Sequence, residues 1–192
     1  MMTSKLFKAL VGALLAATVF SAGATPLNFT LSNFNGKNNG AAVDQLIDSP
    51  VAGTGLLTFD LRGFGTIEGD IDDRDIFNLA INGTTVFSGT FDMGGGGNNV
   101  VYFAAPTVTI VSSKSNGANM GGMTKFSVLH ALLTGTNTYT FSYSPLQERE
   151  DEGWSVLNGN VSIDVNAVPE PASLALLGLG LLGFAAARRR KN

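Results

Sequence analysis

The chain has 192 residues, no cysteine, one histidine, 24 glycines, 44% apolar and 14% charged residues, and a formal charge of −3. Lys5 and Lys8 stand near one end and Arg188, Arg189, Arg190 and Lys191 near the other, so residues 25–168 keep fourteen of the fifteen acids and six of the twelve bases, a net charge of −8. An acidic middle has no basic surface to displace counterions from phosphates, which argues against nucleic acid as a partner; without cysteine, thiol catalysis, disulfides and cysteine-ligated zinc are excluded.

The first segment, residues 1–24, has the order of a secretory signal peptide. Lys5 and Lys8 precede an apolar run from Ala9 to Phe20, and Ala22 and Ala24 supply the small residues at a cleavage site before Thr25. The run of 12 is short of the roughly 20 residues that a stable spanning helix requires. Export is expected, with an uncleaved N-terminal anchor as the alternative.

Residues 25–167 are expected to form one secreted domain, a length that suits a single core. Short β-branched and aromatic runs are broken by Gly, Asn and Asp, and helical periodicity is scarce. Strands are predicted over Leu27–Asn33, Gly55–Arg62, Asp75–Ile81, Thr84–Phe91, Asn99–Phe103, Thr107–Ser112, Lys125–Leu133, Thr138–Tyr143 and Trp154–Val165. Asn82-Gly83 fits a two-residue type I′ turn, which needs positive φ at both positions, and so predicts a hairpin with Phe77, Leu79 and Ile81 on its buried face. Many short strands at such spacing read as an all-β fold, a β-sandwich or jelly roll. Gly94 to Gly97 reads as a flexible loop, lacking the Lys and Ser/Thr of a phosphate-binding loop.

Acids cluster twice. Glu68, Asp70, Asp72, Asp73 and Asp75 fall within eight residues of a glycine-containing loop, and several hard oxygen donors on one loop are what Ca²⁺ takes. The EF-hand pattern fails, because Arg74 stands where a ligand is needed, so a different Ca²⁺ geometry competes with a solvated acidic loop neutralised in part by Arg74. Glu148, Glu150, Asp151 and Glu152 form the second cluster, just before Trp154, which either packs on the sandwich or stacks on a sugar ring. Carboxylates paired across the two clusters would suit glycoside hydrolysis. His130 has no Gly-x-Ser-x-Gly elbow to serve, and reads as an ordinary strand histidine.

The last segment, residues 168–192, has its own order. Val168-Pro169-Glu170-Pro171 is followed by an apolar run from Ala172 to Ala187 and then by Arg188, Arg189, Arg190 and Lys191. Two prolines keep the first part extended, sixteen helical residues span about 24 Å at about 1.5 Å each, and the basic tail orients the helix with its C-terminus in the cytoplasm and the domain outside. This tripartite arrangement resembles the PEP-CTERM sorting signal. The resemblance implies a Gram-negative envelope and exosortase as the processing partner, which recognises Pro169, Glu170 and Pro171 while the inner membrane holds the helix transiently. Delivery to the cell surface or extracellular matrix follows from it. An ordinary single-pass anchor after a proline-rich stalk is the alternative.

With no catalytic constellation in evidence, the expected product is a non-enzymatic β-sandwich that acts by adhesion or by contact with exopolysaccharide, with Ca²⁺ as its one candidate cofactor. A carbohydrate-active hydrolase and an inert matrix protein are the competing expectations.

Overall fold

The computed structural model describes residues 26–37, 41–144 and 152–163. The signal segment, the acids Glu148, Glu150 and Asp151, and the whole of residues 168–192 lie outside the described residues. Among the described residues every regular element is a strand: β1 (Leu27–Thr30), β2 (Phe34–Lys37), β3 (Val43–Ser49), β4 (Gly53–Gly65), β5 (Ile76–Ile81), β6 (Thr84–Thr90), β7 (Val100–Ala104), β8 (Val108–Ser115), β9 (Gly122–Leu132), β10 (Gly135–Ser144) and β11 (Glu152–Ile163). They pair antiparallel into two sheets. One runs β1-β11-β4-β9-β8, with β2 also on β11, and the other runs β3-β10-β5-β6-β7. The expected all-β sandwich is the fold observed.

Alternation with a period of two builds the core between the sheets. In β4, Leu57, Phe59 and Leu61 are buried; in β5, Phe77, Leu79 and Ile81 take the buried face that their spacing predicts. Phe126 of β9 sits at the centre. Its ring stacks on Phe59 at 4.8 Å and meets Phe87 of the opposite sheet edge-on at 5.0 Å. Phe59 in turn touches Phe141 of β10 at 5.2 Å, so one aromatic cluster fastens the two sheets together.

The β5–β6 hairpin turns at Asn82 and Gly83, with φ of 50° and 78°, as a type I′ turn requires. The Asn82 side chain also accepts the Thr138 amide at 2.8 Å and donates to Asn137 Oδ1 at 3.1 Å, tying the turn to β10.

Two strands escaped the sequence pattern. In β3 the inward residues Ile47 and Ser49 are buried, while the outward acids Asp44 and Asp48 accept hydrogen bonds of 2.6 Å from Thr140 and Thr136 across the strand pair. Those acids make the segment look like polar loop. The four residues of β2, Phe-Asn-Gly-Lys, look like a turn until β11 is there to pair with them.

Phe126→Ala is expected to cost about 3–5 kcal/mol in urea unfolding, as a large buried ring lost from a close-packed core does. Leu129→Ala, on the exposed face of the same strand, should stay within about 0.5 kcal/mol of the parent.

Candidate metal centre

β4 leaves its sheet at Gly65, which lies opposite Glu152, the first residue of β11. The chain then crosses to the other sheet through residues 66–75 and enters β5. This crossover and the start of β11 therefore meet at one end of the sandwich. One carboxylate oxygen from each of Glu68, Asp75 and Glu152 lies within 4.8 Å of the others there. Asp75 is fully buried and Glu152 is 4% exposed. Asp75 Oδ2 accepts the Glu68 amide at 2.9 Å, and the Asp75 amide donates back to the Glu68 carbonyl at 3.3 Å, so the two ends of the crossover hold each other.

Tyr143 of β10 completes the surroundings. It pairs in register with Phe77, two residues beyond Asp75, and its ring lies 5.4 Å from that of Trp154, two residues beyond Glu152. The Tyr143 hydroxyl is buried without a hydrogen-bond partner. Burial, then a side-chain hydrogen bond with Glu68 and the nearby charge of Glu152, pushes Asp75 up to about 8. Burial and then the charge of Asp75 push the Tyr143 phenol well above its usual range, so it stays neutral.

The loop from Asp92 to Asn98 covers Glu68. Sequence composition suggests a flexible run of glycines; the structure pins it. Gly95 donates to the Ile67 carbonyl at 3.2 Å, Gly69 donates to the Gly96 carbonyl at 2.8 Å, and Asp70 donates to the Asn98 carbonyl at 2.7 Å. A Cβ at Gly95 would collide with the Glu68 carboxylate, and one at Gly69 would come within 2.6 Å of the Asn98 carbonyl oxygen. Glycine is used here for closeness of approach.

The five acids of the first sequence cluster thus separate into two groups. Glu68 and Asp75 turn inward. Asp70 turns outward, where Oδ1 accepts the Tyr102 hydroxyl at 2.6 Å and Arg74 Nη1 at 3.1 Å, contacts that hold its carboxyl below the usual range. Asp72 and Asp73 are exposed at the tip of the crossover. Glu152, from the second cluster, joins the inward pair without having been singled out as a ligand. Its signal lay in strand phase: two residues before a core-facing Trp154, it had to face the same way. Trp154 itself is fully buried, edge-on to Phe34 at 5.1 Å, so packing is the role its place supports, and no face of the ring is open to a sugar. His130 has its ring nitrogens 3.0 Å from the Ala131 carbonyl and 3.2 Å from the Tyr139 hydroxyl, the surroundings of an ordinary strand histidine.

Residues 167–191 match the family model of the PEP-CTERM protein-sorting motif. Such a motif implies processing by exosortase and export through a membrane-anchored intermediate. No curated protein matches the chain in sequence. Among solved structures, a CBM35 from Cellvibrio japonicus Abf62 is similar over 72% of this chain and 93% of its own, at 14% identity and a TM-score of 0.38. Xyl-CBM35 in complex with a glucuronic acid containing disaccharide is similar over 76% and 81%, at 20% identity and a TM-score of 0.32. The exo-β-1,3-galactanase from Phanerochaete chrysosporium is similar over 74% of this chain and 29% of its own, at 13% identity and a TM-score of 0.31.

Asp75, raised to about 8 in the folded chain against about 3.9 unfolded, contributes stability that is complete below about pH 4 and is lost as pH rises toward 8. In chelator, the melting midpoint of Asp75→Asn should therefore exceed that of the parent by several degrees at pH 7.5, with the gap closing at pH 4. A midpoint gap that does not vary with pH would show that the carboxyl is not forced to hold its proton.

Proposed function

We propose that the chain is a non-enzymatic β-sandwich, delivered to the cell surface or extracellular matrix of a Gram-negative bacterium, where it contacts polysaccharide. The observation that carries the delivery is the match of residues 167–191 to the sorting motif, in which Pro169-Glu170-Pro171, the apolar run and Arg188 to Arg190 stand in order. The signal-peptide order of residues 1–24 supports the same route.

Burial supports the absence of catalysis. Glycoside hydrolysis needs two carboxyl groups flanking a substrate bond in an open cleft, about 5 Å or more apart. The set of three carboxylates gathered among the described residues has Asp75 fully buried, Glu152 at 4% exposure and the Gly95 backbone laid on Glu68. A sugar ring has no way to reach them.

Contact with polysaccharide has a better candidate than Trp154. On β7, Tyr102 and Phe103 are 45% and 49% exposed, and the Tyr102 ring is oriented by its hydrogen bond to Asp70, which also holds Arg74. A fixed, half-exposed aromatic face offers an apolar surface to the C–H face of a sugar, and the adjoining guanidinium offers donors to its hydroxyls.

Two measurements test this. Intact mass of the protein recovered from the matrix should lack the apolar run and arginine tail; a product retaining Ala172 to Asn192 would overturn the sorting. Tyr102→Ala should weaken retention on host exopolysaccharide about tenfold, equivalent to about 1.4 kcal/mol. The appearance of new reducing ends during that assay would instead favour the hydrolase.

A further inference from the structure

The buried end of the sandwich brings together side-chain oxygen atoms from three segments, with neither histidine nor cysteine in the group: Glu68 and Asp75 from the two ends of the crossover, Glu152 from β11 and Tyr143 from β10. Acidic side chains on a surface need no ligand to explain them. These are different, because Asp75 and Tyr143 are fully buried and the Tyr143 hydroxyl, close enough to Asp75 to feel its charge, has no hydrogen-bond partner. A buried polar atom left unsatisfied costs free energy unless something else meets it.

We infer that Glu68, Asp75 and Glu152 bind one Ca²⁺ ion, with the Tyr143 hydroxyl beside it, and that the ion clamps the crossover to the start of β11. Donor chemistry selects the class of ion: carboxylate and hydroxyl oxygens suit alkaline-earth cations, whereas zinc sites draw on imidazole or thiolate. Coordination habit selects within the class: Ca²⁺ accepts an irregular set of six to eight oxygens, while Mg²⁺ demands near-ideal octahedral geometry and keeps its waters. The three carboxylate oxygens lie within 4.8 Å of one another, near enough for one cation to draw on all of them.

Topology gives the ion its effect. Glu152 is hydrogen-bonded into the sheet of β4, and Asp75 leads directly into β5 of the other sheet. An ion held by both joins the two sheets at the end where the chain passes between them. In a protein without cysteine this is a cross-link of the kind that a disulfide supplies elsewhere. The affinity range of extracellular Ca²⁺ modules, about 10⁻⁴ to 10⁻³ M, would leave the clamp open in the cytoplasm and closed after export.

The test uses the full chain in detergent, stripped with EGTA and titrated with CaCl₂, MgCl₂ or Tb³⁺. Trp154 is the only tryptophan, and its ring adjoins that of Tyr143, so its excitation should sensitise Tb³⁺ bound at this site. Ca²⁺ should raise the melting midpoint progressively through the millimolar range, displace Tb³⁺, and exceed Mg²⁺ in both effects. Glu152→Gln and Asp75→Asn should each weaken Ca²⁺ at least tenfold while remaining folded by circular dichroism, since each removes a charge at constant shape. Asp72→Asn, on the exposed tip of the same crossover, should behave as the parent does. A midpoint indifferent to Ca²⁺ would overturn the inference, as would a Ca²⁺ response preserved in both Glu152→Gln and Asp75→Asn. Neither result bears on the Tyr102 surface, which is read out by retention on polysaccharide.

Discussion

β4 is hydrogen-bonded along both edges, to β11 on one side and to β9 on the other, and this double pairing constrains the rest of the sandwich. Because side chains alternate, fixing the phase of β4 also fixes which residues of its two neighbours face inward. Phe126 therefore meets Phe59, and Trp154 lies on the core side with Glu152 two places before it. A one-residue slip would turn the aromatic cluster out and bring Asp60, Ser127 and Arg62 toward the core. The phase that buries the best apolar residues is thus the same phase that buries a glutamate.

That coupling explains why the acidic end persists as a structural feature. The aromatic cluster supplies hydrophobic stabilisation in the middle of the sandwich, and the carboxylates at its end draw on it. Close backbone packing between residues 65–71 and 92–98 keeps water from relieving them, since glycines at the contact leave no space for a solvent layer. Stability and ligand demand are therefore opposite faces of one packing arrangement. The outward half of the crossover shows the contrast: Asp70, given an arginine and a phenol in the open, has its needs met by the protein itself.

Much of the fold was legible in the sequence because its signals are local. Asn82-Gly83 names its own turn, and Phe77, Leu79 and Ile81 declare their face by spacing alone. β3 was not legible, because Asp44 and Asp48 are outward partners for threonines that arrive from 96 and 88 residues away in sequence. The acidic site was half legible. Glu68 and Asp75 stood out by composition, but nothing periodic in a crossover distinguishes them from Asp70, Asp72 and Asp73. Glu152 could be found only by carrying the phase of β11 back from Trp154, and the unsatisfied Tyr143 hydroxyl only by knowing what surrounds it. Gly94 to Gly97 misled in a different way, since composition records freedom of the backbone and cannot record that another backbone lies against it.

The two sheets also end in unlike ways. β7 and β8, consecutive in the chain, are edge strands of opposite sheets, and each loses register with its neighbour, between Ser88 and Gly89 and between Ile110 and Ser112. β3, the edge on the far side of its sheet, keeps regular pairing but carries Asp44 and Asp48. Irregular edges offer an approaching strand no straight row of donors and acceptors, and a charged edge repels its own copy. Copies of the chain crowded together can then lie side by side without their sheets fusing into fibres.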